Sequence, residues 1–221
     1  MTTAIKYQGR KALRAGSEQR RQAILEAALG IIVRDGIRAV RHRAVAREAA
    51  VPLSATTYYF KDISDLIADT FTLFAERALE QVVRPFREQA FALLQAHQLG
   101  AQDSPRRDEL INGLASLTAL FIFDEVTNQR DHLVAEQAFI QEAILDKRLR
   151  GLADLYIEEL TGFLVQACEA FGSSNPALDG ELIYSYMLAI ERRLLTHPEW
   201  VDMAVIESRM HHLLSRLVPG G

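Results

Sequence analysis

The chain has 221 residues, of which 49% are hydrophobic and 24% charged, a composition that suits one large or two modest soluble globular domains. Its single cysteine, Cys168, excludes an intrachain disulfide, and no apolar run approaches the length of a membrane-spanning helix or forms a signal core. The net charge of −4 is divided unevenly, with +8 over residues 1–61 and −12 over the rest. We therefore expect a cytoplasmic protein whose basic N-terminal part binds a polyanion, although a solvated basic face without a partner would carry the same charge.

Residues 1–16 are polar, basic and aperiodic, and are predicted to form a flexible arm. Beyond them the chain is predicted to be all-α, because apolar residues recur at helical spacing and no sustained period-two alternation indicates a strand. A first helix is expected to begin near Ser17, which suits an N-cap, and to end at Asp35-Gly36, where glycine favours a left-handed backbone conformation.

Two short helices are predicted next, over 42–49 and from about Leu53 to Tyr59. Ala50-Val51-Pro52 interrupts them, because proline cannot donate a backbone hydrogen bond. Two short helices joined by a tight turn after a longer helix are typical of a helix-turn-helix domain, which we place at 17–62.

From residue 63 to 221 the predicted helices are longer and more apolar, and we expect them to form a second, helical domain. The first of them, over 63–97, contains Pro85, which should kink or split it. A loop is predicted from Gly100 to Pro105, and Gly172 to Pro176 is the clearest break in the sequence. The remaining helices are predicted over 107–128, 131–144, 147–171, 178–196 and 199–218.

A set of short motifs with a characteristic spacing lies between Arg20 and Phe71. They are Ile24-Leu25-Glu26-Ala27-Ala28, Asp35-Gly36, Val45-Ala46-Arg47-Glu48-Ala49-Ala50-Val51, Tyr59-Phe60 and Leu66. With these motifs the stretch resembles the DNA-binding domain of the TetR family of transcriptional regulators. The resemblance implies a sequence-specific repressor in which a three-helix helix-turn-helix domain precedes a helical ligand-binding and dimerisation domain.

Four positions depart from the commonest pattern of that family. Ala50 replaces a glycine in the turn, Thr57 replaces a tyrosine, and Arg41 replaces the threonine cap of the second helix. Ile63 stands where a lysine often meets a phosphate, so the resemblance implies the fold but does not carry that contact over to position 63.

A recognition helix needs short polar side chains, because its backbone must lie deep in the major groove. The segment from Leu53 to Tyr59 has this composition, and the basic residues on the helix before it would face the sugar-phosphate backbone. The residues predicted to contact DNA are Arg41, His42, Arg43, Leu53, Ser54, Ala55, Thr56, Thr57, Tyr58, Tyr59 and Lys61. Tyr59 could equally be a core residue, Phe60 is expected in the core, and the arm is either a minor-groove contact or a free tail.

One such domain covers only a few base pairs, so we expect a homodimer that reads two half-sites of a pseudo-palindrome. The last two helices carry broad apolar stripes that could form the interface, although an intrachain core would need similar stripes. The predicted interface residues are Tyr184, Met187, Leu188, Leu195, Ile206, Met210, Leu213 and Leu217.

Release from double-stranded DNA requires an effector that binds one conformation better than another. Aromatic residues of the central helices, with a few polar ones, could line its cavity, which predicts a small, hydrophobic effector. The predicted lining residues are Phe91, Asn112, Thr118, Phe121, Asn128, Phe139, Tyr156 and Phe163. Core packing would explain each aromatic residue as well.

The sequence contains no glycine-rich phosphate loop, no His-Glu-x-x-His pair and no Gly-x-Ser-x-Gly elbow, so we expect no catalytic residue, cofactor or metal site. His132 and Glu136, one helical turn apart, and the pair His211-His212 are expected to be solvent-facing polar residues rather than metal ligands. Cys168 is expected to be an inert thiol. The alternative function is a helical adaptor that acts through protein contacts without binding DNA.

Overall fold

The structure is a computed structural model that describes residues 15–97 and 104–218. Within these ranges every regular element is helical, which confirms the all-α prediction. The predicted arm lies outside the described residues as far as residue 14, and so do residues 100–103 of the predicted loop. Residues 15 and 16 of the predicted arm belong instead to the first helix, which therefore begins before the predicted N-cap Ser17. The α-helices are α1 Ala15–Asp35, α2 His42–Glu48, α3 Leu53–Tyr59, α4 Ile63–Arg77, α5 Arg84–Ala96, α6 Ser104–Thr127, α7 Arg130–Leu145, α8 Lys147–Ala170, α9 Pro176–Thr196 and α10 Met203–Leu217.

The ends of several helices follow from single residues. Gly36 ends α1 with a positive φ of 82°, as predicted, and its N–H donates to the carbonyl of Ile32 at 3.0 Å. The carboxylate of Asp62 caps α4 by accepting a hydrogen bond from the N–H of Asp65 at 2.8 Å. Because this aspartate starts α4 directly after α3, the helices α2, α3 and α4 follow one another within 36 residues.

The last helix begins later than predicted. A 3-10 turn occupies Pro198–Trp200, and α10 starts only at Met203. The carboxylate of Asp202 accepts from the N–H groups of Ala204 and Val205, at 2.9 and 3.3 Å, so this aspartate, rather than the proline, sets the start of the helix.

The predicted irregularity around Pro85 takes the form of a π-helical segment. The segment covers Ala78–Val83 and separates α4 from α5, in whose first turn Pro85 lies. Proline has no N–H to offer the preceding turn and its ring crowds the carbonyl four residues earlier. A wider helical turn before Pro85 removes that clash, so the single helix predicted over 63–97 is split.

The protein divides into two compact units. The first comprises the residues up to Ala78 together with Val134–Tyr156. In it α1 packs against α2, α3 and α4 around fully buried apolar side chains, among them Leu25 and Phe60. On α4, Phe71 stacks on Phe139 of α7 with ring centroids 4.7 Å apart and planes inclined by 8°. Aromatic stacking therefore extends the core of this unit beyond the three N-terminal helices.

The second unit comprises Leu79–Leu133 and Ile157–Gly221. In it α6 is the central helix, which packs most extensively against α10 and also against α5 and α9. Gly180 of α9 is buried against α8, where a Cβ atom would lie 2.8 Å from Cγ2 of Val165. Only a residue without a side chain allows this approach of α9.

The ends of α6 and α10 in the second unit are joined by one side chain. The Nη2 of Arg107 donates to the carbonyls of Ser215 and Val218 at 2.9 and 2.8 Å. These carbonyls lie at the end of α10, where they have no partner within the helix, so the guanidinium caps the C-terminus of α10.

The helix α6 is more apolar than predicted. Its segment Pro105–Thr127 is long and apolar enough, by length and composition, to cross a membrane, with a mean hydropathy of 1.4. This corrects the prediction that no run approaches that length. Half of the most apolar 18-residue stretch of this segment is buried within the protein. The packing of α6 against three other helices accounts for its composition, since a core helix meets the same criterion.

Candidate nucleic-acid interface and effector cavity

Helix α2 has an exposed basic side and a buried apolar side. Val45 and Ala46 fix it to the core, whereas Arg43 and Arg47 are exposed. Arg41, at the N-cap position, is also exposed, and its side chain makes no capping hydrogen bond. The guanidinium groups of this helix are therefore accessible to an anion along one side.

His42 differs from the other predicted contacts on this helix. Its side chain is half-buried, and its Nδ1 is a buried atom without a hydrogen-bond partner among the described residues. One of the two ring nitrogens therefore points toward the protein, and only the other is available for a predicted contact with DNA.

The turn between α2 and α3 contains a strained backbone. Ala50 has a φ of +52°, the left-handed conformation that favours glycine. Its N–H donates to the carbonyl of Arg47 and the N–H of Val51 to that of Ala46, at 3.3 and 3.0 Å, which is a Schellman motif. The alanine thus adopts the conformation required at this position, as the replacement of the family's glycine implied.

Helix α3 exposes most, but not all, of the predicted recognition residues. Leu53, Ser54, Thr57 and Tyr58 are exposed, and Ala55 is half-buried. The exposed set combines two hydroxyls, an apolar side chain and a phenol within one helix of seven residues. These groups suit base edges, a thymine methyl group and a phosphate.

The structure does not place Thr56 and Tyr59 on this surface. Thr56 is fully buried, and its hydroxyl donates to the carbonyl of Leu53 at 2.8 Å. Tyr59 is 5% exposed and its hydroxyl lies 2.8 Å from Oγ of Ser17. Both side chains hold α3 against the core, because residues three apart on so short a helix share its inner face. Phe60 is fully buried, as predicted.

Two ion pairs tie α1 to α4. Arg21 and Asp69, 4% and 0% exposed, form a pair with Nη2 and Oδ2 2.6 Å apart. Arg77 pairs with Glu26 nearer the surface, and its hydrogen bond is the main reason that the pKa of the Glu26 carboxyl is lowered. The interior of the helix-turn-helix is thereby attached to α4 through charged groups as well as apolar packing.

Near the start of α4, an exposed lysine precedes two aspartates that pair with an arginine. Lys61 is exposed and would be available to a phosphate. The pKa of Asp62 is lowered, first by the hydrogen bond from the backbone N–H of Asp65 and then by the guanidinium of Arg148. Lys61 is thus the basic residue next to the position where Ile63 replaces the family's lysine.

The predicted effector residues fall into both units. Phe139 and Tyr156 belong to the buried aromatic cluster of the first unit, where Tyr156 also donates a hydrogen bond to Glu136 at 2.8 Å. The remaining six belong to the second unit: Phe91, Asn112, Thr118, Phe121, Asn128 and Phe163. Packing within the first unit accounts for Phe139 and Tyr156.

A cavity of about 330 Å³ lies within the second unit. Its walls come from the π-helical segment, α5, α6 and the turn after α6. The lining residues are Gln81, Val82, Pro85, Phe86, Gln89, Leu117, Leu120, Phe121, Asp124, Glu125 and Gln129. Of the predicted effector residues, Phe121 is part of this lining. The ring of Phe86 stacks on it, with centroids 4.4 Å apart, and Phe163 meets Phe86 edge-on.

Four other predicted effector residues of the second unit do not line the cavity. The hydroxyl of Thr118 is buried and donates to the carbonyl of Leu114 at 2.8 Å. The amide of Asn128 donates to Oδ1 of Asp124 at 2.7 Å. Asn112 is exposed and Phe91 half-buried, and neither lines the cavity.

A buried acid in this cavity was not predicted. Glu125 is 3% exposed, and its Oε2 accepts a hydrogen bond from Nδ1 of His132 at 3.1 Å. Glu136 is 5% exposed. The expectation that His132 and Glu136 are solvent-facing is therefore wrong, because each pairs with a buried group, whereas His211 and His212 are exposed as expected.

The predicted interface residues on α9 and α10 divide by burial. Met187, Ile206 and Met210 are buried within the second unit. Five are half-buried: Tyr184, Leu188, Leu195, Leu213 and Leu217. On α9, Leu178 and Leu182, one turn apart, are 59% and 47% exposed. These two leucines extend the apolar surface of α9 toward its N-terminus.

Cys168 is buried, and its burial, followed by the nearby carboxylates of Asp179 and Glu169, raises the pKa of the thiol to about 12. At neutral pH the group is a thiol rather than a nucleophilic thiolate, in line with the expected inert role.

No family model and no curated protein sequence matches the chain. Solved structures do match it. A TetR-family member from Streptomyces coelicolor A3 is 24% identical, with coverage of 91% of this chain and 99% of that chain and a TM-score of 0.60. The multidrug binding protein EbrR, solved with ethidium, is 21% identical over 88% and 98% of the two sequences, with a TM-score of 0.62. SmeT, solved with triclosan, is 15% identical over 92% and 93%, also with a TM-score of 0.62. The protein therefore has the fold of TetR-family regulators.

Proposed function

We propose that the protein is a ligand-responsive, sequence-specific DNA-binding transcriptional regulator and not an enzyme. The observation that carries the proposal is the two-sided character of α2 and α3. Both helices direct apolar or internally bonded side chains inward, and they expose guanidinium, hydroxyl and phenol groups outward. This is the chemistry that a helix-turn-helix needs to bind duplex DNA.

In this function α3 lies in the major groove. Ser54 and Thr57 offer hydroxyls to base edges, Leu53 offers an apolar contact to a thymine methyl group, and Tyr58 reaches a phosphate. Arg43 of α2 binds the backbone of the same half-site. Arg41 and Lys61 would add phosphate contacts, so affinity should fall steeply as salt rises.

A single helix-turn-helix covers too few base pairs to select a site, so the regulator acts as a homodimer on a pseudo-palindromic operator. The partly exposed apolar residues of α9 and α10, including Leu182 and Leu213, support an interface on these helices. The dimer would work in the cytoplasm as a repressor, which is the role that the family resemblance implies.

The effector is a small, largely hydrophobic compound. The cavity with Phe86 and Phe121 in its wall supports this proposal, since small-molecule sites combine apolar and aromatic walls with a few polar groups. EbrR and SmeT, which have the same fold, were solved with ethidium and triclosan. By analogy, an aromatic compound in this cavity would lower the affinity of the protein for its operator.

The test is selection of randomised duplex DNA on the purified full-length protein at two salt concentrations. We expect an inverted repeat that is recovered less efficiently at high salt. The variant Arg43→Ala should weaken binding to all sequences and make the salt dependence shallower by about one counterion, whereas Thr57→Ala should relax the preference at one base position.

Arg87→Ala is the matched control, because it removes an exposed arginine from α5, away from α2 and from the proposed interface, and should leave operator binding unchanged. Salt-sensitive binding without a preferred sequence would replace the regulator with an architectural DNA-binding protein. Absence of DNA binding would favour the helical adaptor.

A further inference from the structure

Among the described residues, one oxygen of the buried Glu125 has no hydrogen-bond partner. Oε2 accepts from His132, but Oε1 is buried and meets no donor in the part of the protein that the structure describes. Buried polar atoms are almost always paired, and a buried carboxylate oxygen without a donor is unfavourable. The carboxylate of Glu125 therefore has unused capacity to accept a hydrogen bond from a ligand.

Glu125 belongs to the wall of the cavity in the second unit, and the other charged group of that wall is also an acid. Asp124 precedes it on α6, and none of the described residues that line the cavity is lysine or arginine. Three glutamine side chains supply the remaining polar groups: Gln81, Gln89 and Gln129. The imidazole of His132 pairs with Glu125 but is not part of the wall. Two carboxylates without a lysine or arginine in the wall favour a positively charged guest and repel an anion.

The stacked rings of Phe86 and Phe121 form the aromatic part of the same wall. An aromatic face attracts a cation and also packs against a planar apolar body. A cavity of about 330 Å³ is at the lower end of the range for small organic ligands. The wall thus combines an acidic group and an aromatic surface within a space for one compact molecule.

We propose that this cavity binds a compact aromatic organic cation, whose positively charged group is held by the carboxylate of Glu125 and whose rings pack against Phe86 and Phe121. This inference rests on the proposed function in taking the ligand as the effector, and it adds the sign of the ligand's charge. His132 holds Oε2 and so restricts the rotation of the Glu125 carboxylate at the cavity wall.

The experiment measures the binding of ethidium, a permanently charged planar cation, to the full-length protein in the absence of DNA, by fluorescence titration. Fluorescein, an aromatic anion, is the comparison probe. We expect saturable binding of ethidium and at least tenfold weaker binding of fluorescein. Glu125→Gln should weaken ethidium binding at least tenfold, whereas Glu181→Gln, on the exposed surface of α9, should not change it.

A second pair of variants keeps the test valid if the Glu125→Gln variant does not fold. Leu120 lines the cavity but is 55% exposed, so it tolerates polar replacements. Leu120→Lys puts a positive charge at the cavity and should weaken ethidium binding at least fivefold relative to Leu120→Gln, which is similar in size and neutral. Equal affinities for ethidium in these two variants, or no ethidium binding to the wild-type protein, would overturn the inference.

The proposed DNA-binding function and the proposed cation site can be refuted independently of each other. Recovery of an inverted repeat together with no ethidium binding leaves the DNA-binding function and removes the cation site. Ethidium binding that depends on Glu125, together with no recovered DNA sequence, leaves the cation site and removes the regulator.

Discussion

Ala50 is the one described residue other than glycine with a positive φ, +52°, and it lies in the turn that sets the angle between α2 and α3. A left-handed conformation costs an L-residue about 1–2 kcal/mol relative to glycine, which is partly offset by the greater freedom of glycine in the unfolded state. The strain is tolerated because the Schellman hydrogen bonds and the packing of both helices hold the turn.

We predict that Ala50→Gly raises the free energy of unfolding by about 0.5–1 kcal/mol, as measured by urea denaturation. The control is Ala44→Gly, inside α2, where glycine should lower it by about 1 kcal/mol. If both variants were destabilised to the same extent, the turn would not be strained.

The buried pair Arg21–Asp69 provides a second prediction about individual residues. Asp69→Asn removes the buried negative charge opposite the buried guanidinium of Arg21, so it should lower the free energy of unfolding by about 3 kcal/mol or more. Glu26→Gln, which breaks the half-exposed pair with Arg77, should cost less than about 1 kcal/mol. Urea denaturation at neutral pH compares the two, and similar losses would show that burial does not distinguish these pairs.

Between elements, the pair of Glu26 with Arg77 makes the attachment of α1 to α4 sensitive to pH. The pKa of Glu26 is lowered from 4.5 in the folded state, so the pair stabilises the fold above that pH and the stabilisation is lost as the pH falls through the folded value. We predict that Glu26→Gln loses less stability than the wild-type protein between pH 6 and pH 3 in urea denaturation. Parallel losses would exclude a contribution from this carboxylate.

The contact between α8 and α9 depends on a glycine. A Cβ at Gly180 would lie 2.8 Å from Cγ2 and 2.9 Å from the backbone nitrogen of Val165, and the backbone atom cannot rotate away. Gly180→Ala should therefore lower the free energy of unfolding by about 1–3 kcal/mol. Gly162→Ala in α8 meets nothing within 4 Å and should raise it by about 0.5–1 kcal/mol. Thermal denaturation would show opposite shifts, and shifts of the same sign would contradict the close approach.

Helix positions were predictable from the sequence where a single residue acts as a stop signal. Gly36 and Pro176 mark such ends, and their helices end or begin within two residues of the predicted positions. The π-helical segment was not predictable, because a wider turn leaves no separate trace in apolar spacing. On α3, seven residues are too few for the periodicity to show that Thr56 and Tyr59 face inward.

At the scale of the whole molecule, packing between residues distant in the sequence determines which aromatic residues lie in the core and which line the cavity. The sequence alone does not show this difference. Phe139 and Phe121 are equally plain aromatic residues in the sequence, yet the first stacks on Phe71 and the second lines the cavity. Glu125 follows another acid and reads as a solvated residue, because its burial depends on helices that are distant in the sequence. Only the folded structure shows that this buried acid lines a cavity.

The proposed homodimer depends on the apolar surface of α9. In a symmetric interface each substitution occurs twice, so a charge placed there must be buried twice without a partner. Leu182, 47% exposed within one protomer, lies on this surface. We predict that Leu182→Glu converts the dimer to a monomer in sedimentation velocity and weakens operator binding at least tenfold, since each half-site then binds alone.

Leu145→Glu is the matched control, because this leucine is 65% exposed on α7 in the first unit and lies outside the proposed interface. It should remain dimeric and bind the operator as the wild-type protein does. A Leu182→Glu variant that sediments as a dimer would move the interface away from this face of α9. Loss of operator binding with an intact dimer would instead show that the substitution acts on the DNA-binding domain and not on assembly.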